Sequence, residues 1–488
     1  MNRRAARVVV VGGGISGLVS AYLLEQRASL AGRQIEVVLV EGSARVGGAI
    51  RSFRDQEFLI EGGPDSFITQ KPGGMELVGA LGLTSRLVET RNKYRRTFVA
   101  SGSSLQILPP QFVLLAPADP LPVLFGDFLS LRGKLRLMLE AFIPGRQSTD
   151  DESVASFVRR RLGREILERV AQPMMGGIYM ADVEELSLAA TFPQFPELER
   201  KYRSVIKGLN IQRHAAQQAP TAGERWSLFV SFDEGMQVLV DTLEESLRST
   251  RILLGKEVRR VDNEQGWSVL CDDGEVLRAD AVMVTTPAPV TAALLSERFA
   301  ALRSELEQIP TTPSLTVSLA YREADVGPVP AGFGFVVPRT EGKKLWACTF
   351  VHQKYPFRAP WATVSLRAFY GGRQDRDLLE LDDSELVQLA IREIRTWIPL
   401  RGNPILTHVQ RHPRGMPLYR VGHLDRVARI EEIVARLPGL ALAGNSYRGV
   451  GIPDCIQSAQ RAVLKTLKDT LPEEFIGEEE AARSLAPR

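Results

Sequence analysis

The run Arg7-Val8-Val9-Val10-Val11-Gly12-Gly13-Gly14-Ile15-Ser16-Gly17, followed by Leu18 to Gln26, decides the fold. Four consecutive valines predict a strand buried on both faces, as in a parallel sheet. Gly12, Gly14 and Gly17 form G-x-G-x-x-G between that strand and a predicted helix, the context that gives the motif meaning. Gly12 permits the tight turn, Gly14 admits a pyrophosphate to the backbone, and Gly17 lets helix and strand pack closely. Ile15 and Ser16 open the helix, whose free N–H groups face the phosphates. A second strand, Ile35 to Val40, ends at Glu41. Glu41 lies further downstream than the usual ~20 residues, and the connection Arg27 to Arg33 accounts for the delay. A carboxylate there accepts from a ribose 2′-hydroxyl and repels a 2′-phosphate, so NADP is disfavoured.

Working outward, Glu41-Gly42-Ser43-Ala44-Arg45-Val46-Gly47-Gly48-Ala49-Ile50-Arg51-Ser52 resembles the E-x-x-x-R-x-G-G-x-x-x-S extension of flavin oxidases of the amine-oxidase type. The resemblance implies that Arg45 and the Gly47-Gly48 turn meet an FAD diphosphate. Gly62-Gly63-Pro64-Asp65 follows a strand, and its glycines allow close backbone approach, expected toward the flavin ring. Val258, at the strand Ile252 to Val261, and Thr285, in Ala279-Asp280-Ala281-Val282-Met283-Val284-Thr285-Thr286-Pro287, are further cofactor candidates; the second run resembles the same superfamily.

At 488 residues the chain has room for two or three domains. A 44% hydrophobic and 24% charged composition marks a globular chain. With net charge +3 and no basic block interleaved with aromatics, nucleic acid is not expected as a partner. The 3 cysteines are far apart, with no zinc spacing or disulfide framework, which suits a reducing cytoplasm. No metal site is expected. No signal peptide is read behind the early arginines, and no apolar run is long enough for a transmembrane helix.

Along the chain, Gly74 to Leu83 reads as an amphipathic helix. Asn92 to Arg96 is a basic cluster feeding a hairpin, with Lys71, Arg95 and Arg96 as candidate carboxylate binders. Residues 105–145 alternate apolar runs with prolines and then with Arg132, Lys134 and Arg136. They fit either core helices or an interfacial membrane patch. Helical spacing covers Ser153 to Val170, and a charged helix pattern covers 196–218. Strands are expected at Trp226 to Phe232, Ser314 to Ala320, Phe333 to Val337, Leu345 to Phe350 and Ala362 to Phe369. Two helices are expected at 382–397 and 422–436. Leu440 to Cys455 reads as strand, turn and helix start, with Gly444, Val450, Gly451 and Ile452 facing the cofactor. The closing helix, Ile456 to Leu467, would aim its positive end at the flavin.

Gly177-Ile178-Tyr179, Leu186-Ser187 to Phe192-Pro193, Gly332-Phe333-Gly334 and above all Gly444 to Cys455 identify a resemblance to the protoporphyrinogen oxidase family, running from about Arg7 to Leu467. The resemblance implies an α/β fold with α+β insertions: a Rossmann-type FAD domain, an inserted mixed-sheet substrate domain and a helical, membrane-contacting domain. The expected divisions are 1–75 with 225–290 and 432–472 for FAD, 95–215 for the helical unit, and 76–94 with 291–431 for substrate. Residues 473–488 would be a frayed tail. It further implies six-electron oxidation of a porphyrinogen by FAD, with oxygen as acceptor and hydrogen peroxide as product. In that reading flavin N5 takes the hydride and no side chain acts as acid or base. The five histidines are scattered and read as structural.

Residue by residue, the resemblance puts propionate binding on Arg96 or its neighbour Arg95, a further carboxylate contact on Lys71, and Asp65 close to the reacting edge. It places Gly177 with its carbonyl toward the pyrrole N–H groups, and Phe333, Val336, Cys348 and Phe369 as an apolar sandwich. Coproporphyrinogen III and protoporphyrinogen IX are both open as substrate; clustered cations favour the first. A homodimer, contact with the inner face of the cytoplasmic membrane and hand-over to a chelatase are left open. The competing readings are an amine oxidase or desaturase, and an FAD protein without turnover.

Overall fold

The computed structural model describes residues 5–110, 112–218 and 226–470. The expected frayed tail, 473–488, lies outside them. A five-stranded parallel sheet organises the molecule, in the order Arg251–Leu253, Ile35–Val40, Ala6–Val11, Ala281–Val284, Leu440–Leu442. Val8 and Val10 enter a core formed with the Ile15–Leu30 helix and the closing helix Ile452–Thr470. Val9 and Val11 enter a second core on the opposite face. That double burial is why Val8 to Val11 carry no polar side chain.

The run expected as one strand from Ile252 to Val261 is two. Arg251–Leu253 joins the parallel sheet, and Val258–Asn263 starts an antiparallel meander. Gly255, at φ +63, turns the chain between them. The 196–218 pattern is likewise two helices, Gln194–Tyr202 and Val205–Gln218, parted by Arg203 at φ +59.

The second sheet has seven strands, in the order Leu406–Pro417, Thr311–Arg322, Thr363–Gly371, Ala347–Phe350, Gly334–Val336, Thr97–Ser101, Ser104–Ile107. It is mixed, since Gly334–Val336 runs parallel to Thr97–Ser101. One face is apolar: Leu315, Val317, Leu366, Ala368, Cys348 and Phe335 pack with the Asp383–Ile394 helix. The other presents Thr316, Ser318, Arg367, Phe369, Ala347 and Val336, by strand alternation, toward the dinucleotide unit and the helices.

These contacts move four expected boundaries. Thr97–Ser101 and Ser104–Ile107, assigned to the helical unit, are strands of the large sheet. The Pro72–Ala80 helix buries Leu77 and Val78 in the dinucleotide core, so residues 76–83 do not belong with the substrate sheet. Leu295 to Leu306 and the Val427, Ile430 and Val434 stripe of the His423–Ala435 helix also pack against the parallel sheet.

Candidate active site

The nucleotide cradle is assembled at the carboxyl ends of the parallel strands. Gly12 turns at φ +101. A Cβ on Gly17 would sit 1.9 Å from the Gly12 carbonyl oxygen, whereas one on Gly14 would meet nothing within 4 Å. The first glycine is therefore fixed by packing, and the second borders open space at a helix N-terminus. Glu41 Oε2 accepts from Gly13 N at 2.6 Å, and Oε1 accepts from Ser43 N at 2.8 Å and its hydroxyl at 2.6 Å. Gly47 N donates to Gly13 O at 2.7 Å, which lays the second glycine turn on the first.

Arg45 folds over that turn, donating to Val46 O at 2.8 Å, Ile50 O at 3.1 Å and Gly48 O at 2.5 Å. Burial, and then neighbouring Arg51, press its guanidinium below the usual arginine range. Among the described residues no ion pair neutralises it. Gly42 packs on Glu257 beside the buried Val258. Thr285 donates its hydroxyl to Val11 O or Gly12 O, 3.0 and 2.9 Å away. Gly444 N donates to Ser458 Oγ at 3.1 Å. Downstream, Gly449 N donates to the Tyr419 hydroxyl, which donates in turn to Asn445 O, bracing the loop before Val450, Gly451 and Ile452.

The cradle continues to the large sheet through two backbone layers. A Cβ on Gly48 would lie 3.2 Å from Gly14 Cα, and one on Gly63 would lie 1.8 Å from Ala49 O. The Gly62 carbonyl faces His412 Nε2 at 3.0 Å, and Gly63 O accepts from Arg367 Nη2 at 2.7 Å. Among the described residues, three buried polar atoms on this sheet face have no partner: Thr316 Oγ1, Arg367 Nε and His408 Nε2. Buried polar atoms are almost always satisfied, so these await a polar group. Open space over Gly14, an uncompensated Arg45 and these orphaned atoms fit an FAD running from cradle to sheet.

Next to the Gly62-Gly63 turn, Asp65 is clamped by Lys354 Nζ at 2.8 and 3.1 Å. Burial pushes its carboxyl up, but Lys354, Arg367 and Arg358 outweigh this and hold it well below the usual carboxylate range. Arg358 is itself paired with Glu61 at 2.6 Å. The Arg367 guanidinium covers the Phe369 ring at 5.0 Å. From there an apolar row crosses the sheet: Phe369 is paired with Ala347, and Ala347 with Val336, which lies beside Val99. Gly177 lies against this row, its absent Cβ 3.7 Å from that of Ala347, while Gly176 receives the Trp346 ring. The Gln172–Tyr179 helix ends at Met180, φ +49, whose N donates to Gly176 O at 2.9 Å, and Gly177 is the next carbonyl of that last turn, where intrahelical donors run out.

Two expected substrate contacts are corrected by this geometry. Cys348 is on the opposite sheet face, buried with Phe350, Leu366 and Tyr370. Ala347 takes its place, because one residue of register exchanges the faces. Lys71 is not free for a substrate carboxylate, since its Nζ lies 2.6 and 2.8 Å from the two oxygens of Asp454. Asp454 also accepts from Gly451 N at 3.1 Å, at the start of the closing helix. Phe333 is half-buried, its N donating to Arg96 O at 2.8 Å. Arg95 and Arg96 are exposed where the Thr97–Ser101 strand begins.

Lys354, Arg358, Arg367 and His412 were not singled out from sequence. Arg367 left a signal, a lone charge in the apolar alternation Val364 to Phe369; Lys354 left none. Of the histidines, His352, His408, His412 and His423 all have their rings pushed below the usual range by burial. Among the described residues no cluster of His, Cys, Asp and Glu could hold a metal, and the three cysteines are buried and unpaired.

Cradle, extended glycine turn and facing sheet together define a flavin-dependent oxidoreductase. The family model for flavin containing amine oxidoreductase matches residues 15–464. Coproporphyrinogen III oxidase of Bacillus subtilis is 34% identical over 94% of this chain and 97% of its own. Protoporphyrinogen oxidase of Bos taurus is 32% identical over 94% and 98%. A solved structure of a candidate protoporphyrinogen oxidase from Exiguobacterium sp. 255-15 superposes with a TM-score of 0.83 at 31% identity, covering 95% of this chain and 99% of that one. The chain belongs to the flavin-containing amine oxidoreductases and, within them, to the family of these porphyrinogen oxidases. The cofactor of the family is FAD.

Proposed function

We propose that this protein oxidises coproporphyrinogen III to coproporphyrin III, passing the electrons to oxygen and releasing hydrogen peroxide. One observation supports the tetra-acid substrate over protoporphyrinogen IX. The strand whose Val99 lies beside Val336 of the apolar row is preceded in the chain by Arg91, Lys93, Arg95 and Arg96, the last three exposed. Among the described residues no ion pair engages any of these four. Unpaired cations beside a flat apolar surface suit a macrocycle with several propionates.

FAD, when bound, supplies the two-electron acceptor for the bridge methylene. The chain's residues bind, orient and keep out water: Phe333, Val336, Ala347 and Phe369 hold the ring system, and Arg96 or Arg95 anchors a propionate. Gly177 offers a free carbonyl to a pyrrole N–H. Holding the reacting carbon in place contributes more here than an acid–base pair. Under anaerobic mixing, coproporphyrinogen III should bleach the bound flavin and benzylamine should not; bleaching by the amine alone would overturn the reading. Arg96→Ala should raise KM roughly ten- to a hundredfold, the value of about 1.5–3 kcal/mol for a charge-assisted contact, with FAD content unchanged. An unchanged KM would move the anchor to Arg95.

The helical unit is proposed to rest on an anionic lipid surface. No described helix is long and apolar enough to cross a membrane. Yet Phe125 is 86%, Leu131 83% and Phe142 82% exposed, close in sequence to Leu135, Met138, Arg132 and Lys134. Apolar side chains flanked by cations are the pattern of an interfacial anchor. Replacing Phe125, Leu131 and Phe142 by serine should abolish co-sedimentation with phosphatidylglycerol vesicles and leave FAD content unchanged. Equal sedimentation of variant and parent would place the contact elsewhere.

A further inference from the structure

The clamp on Asp65 is more elaborate than an ion pair between loops requires. Lys354 Nζ reaches both carboxylate oxygens, at 2.8 and 3.1 Å, and Ser66 Oγ donates to Oδ1 at 2.8 Å. Both ends are enclosed: the side chain of Lys354 is 15% exposed and that of Asp65 18%. Arg367, on the neighbouring strand, acts on the same carboxylate while donating to Gly63 O. Arg358 is occupied by Glu61 and by the Ser231 hydroxyl. The remaining titratable neighbour is Tyr355, whose buried hydroxyl is pushed up by burial and by Asp65 itself. The cluster sits where the Gly63 turn, stacked on the cradle, meets Arg367 and Phe369 at the end of the apolar row.

We propose that Lys354 is a positioning residue. It fixes Asp65 as an anion at the flavin-side end of the apolar row, where that anion stabilises the cationic pyrrole pair left when a bridge methylene loses hydride. The inference rests on the porphyrinogen reading. Loss of hydride carries both electrons of the C–H bond to the acceptor and leaves one positive charge shared by the two flanking pyrroles. A pyrrole N–H then releases its proton to solvent and neutralises the cation. Asp65 takes no proton in this sequence. It has to be ionised before the hydride leaves, which is the condition that Lys354 secures.

Burial alone raises a carboxyl and cations lower it. Lys354→Gln removes the direct partner and leaves Arg367 and Arg358 at a distance, so the Asp65 carboxyl rises. The acid limb of the kcat/KM profile should then move to higher pH, with activity recovering at alkaline pH, and Lys354→Arg should retain the parent profile. Identical acid limbs in Lys354→Gln and parent would overturn the proposal.

A second measurement needs neither substrate nor cofactor: the melting temperatures of the full-length apoproteins as a function of pH. In the parent the folded Asp65 carboxyl lies below its unfolded value. Its stabilisation is therefore present above that unfolded value, about 3.9, and is lost as pH falls through the folded value. In Lys354→Gln the ionised form is less favourable, so the gap to the parent should be wide at neutral pH and narrow as pH falls through the variant's Asp65 value toward the parent's lower one. In an Asp65→Asn background the Lys354→Gln gap should not vary with pH. A pH-independent gap between Lys354→Gln and parent would mean that Lys354 is only a strut, and would overturn the proposal. Failure of the parent to oxidise any porphyrinogen, with the gap still closing, would strike the substrate reading and the pyrrole-cation role while leaving the clamp in place.

Discussion

Gly14→Val is expected to give a folded protein that carries no flavin. Gly14 is the N-cap of the Ile15–Leu30 helix, with φ −67 and ψ −179, a backbone conformation open to any residue. An added Cβ meets no protein atom within 4 Å, so the apoprotein has room for the isopropyl group. That room is where the diphosphate must approach the helix N-terminus. Far-UV circular dichroism should match the parent while the flavin absorbance per chain falls to background. Gly17→Val makes the contrasting case, because its Cβ would lie 1.9 Å from Gly12 O; that variant should fail to fold, not merely fail to bind. A fully flavinated Gly14→Val protein would remove the cradle from the cofactor site.

The second large effect concerns stability. Arg161 is fully buried in the helical unit, with Glu140 1% exposed beside it. Its Nε donates to Glu140 Oε1 at 3.0 Å, Nη1 to Ile143 O at 2.8 Å and Nη2 to Arg203 O at 2.8 Å. Glu140 also accepts from Val205 N at 2.9 Å and Ser204 Oγ at 2.5 Å, and Glu199 lies 3.6 Å from Arg161 Nη1, so this buried charge cluster pins a helix start and two loop ends. Arg161→Met leaves Glu140 as an uncompensated buried charge, at a cost of about 3–5 kcal/mol. The urea midpoint should fall accordingly. Arg161→Met combined with Glu140→Leu should recover much of the loss, since an apolar pair of similar volume replaces a buried ion pair at little cost. A double variant no better than Arg161→Met would mean that the bonds to Ile143 and Arg203, not the charge, carry the stability.

The cradle was legible because its logic is local. Gly12, Gly14 and Gly17, the valine strand before them, Glu41 and the Arg45-to-Gly48 turn all lie within one βαβ unit, and each residue type answers a steric or charge demand that spacing reveals. The facing wall was not legible, because its bonds join distant positions: Asp65 to Lys354, Gly63 to Arg367 and Gly62 to His412 are separated by 289, 304 and 350 residues. The strand Leu406–Pro417 gave no strand signal. It carries two prolines, two histidines and two arginines, and prolines are confined to edge strands and bulges. Cys348 was misplaced by one residue of register, which in a sheet is the difference between the face turned to the dinucleotide unit and the face turned to the apolar core. The exposed apolar helices were visible as a composition, but their two readings, core or surface, differ only in exposure.

The central claim is oxidation of a tetra-carboxylate porphyrinogen, and its most direct test is porphyrin fluorescence under air. Purified flavoprotein would be offered coproporphyrinogen III and protoporphyrinogen IX side by side, with hydrogen peroxide measured in parallel. The account predicts porphyrin from the porphyrinogen and an accompanying release of hydrogen peroxide from oxygen, with kcat/KM at least tenfold higher for coproporphyrinogen III. A preference for protoporphyrinogen IX would contradict the role given to the unpaired cations, and the absence of porphyrin from either substrate would contradict the proposed function itself.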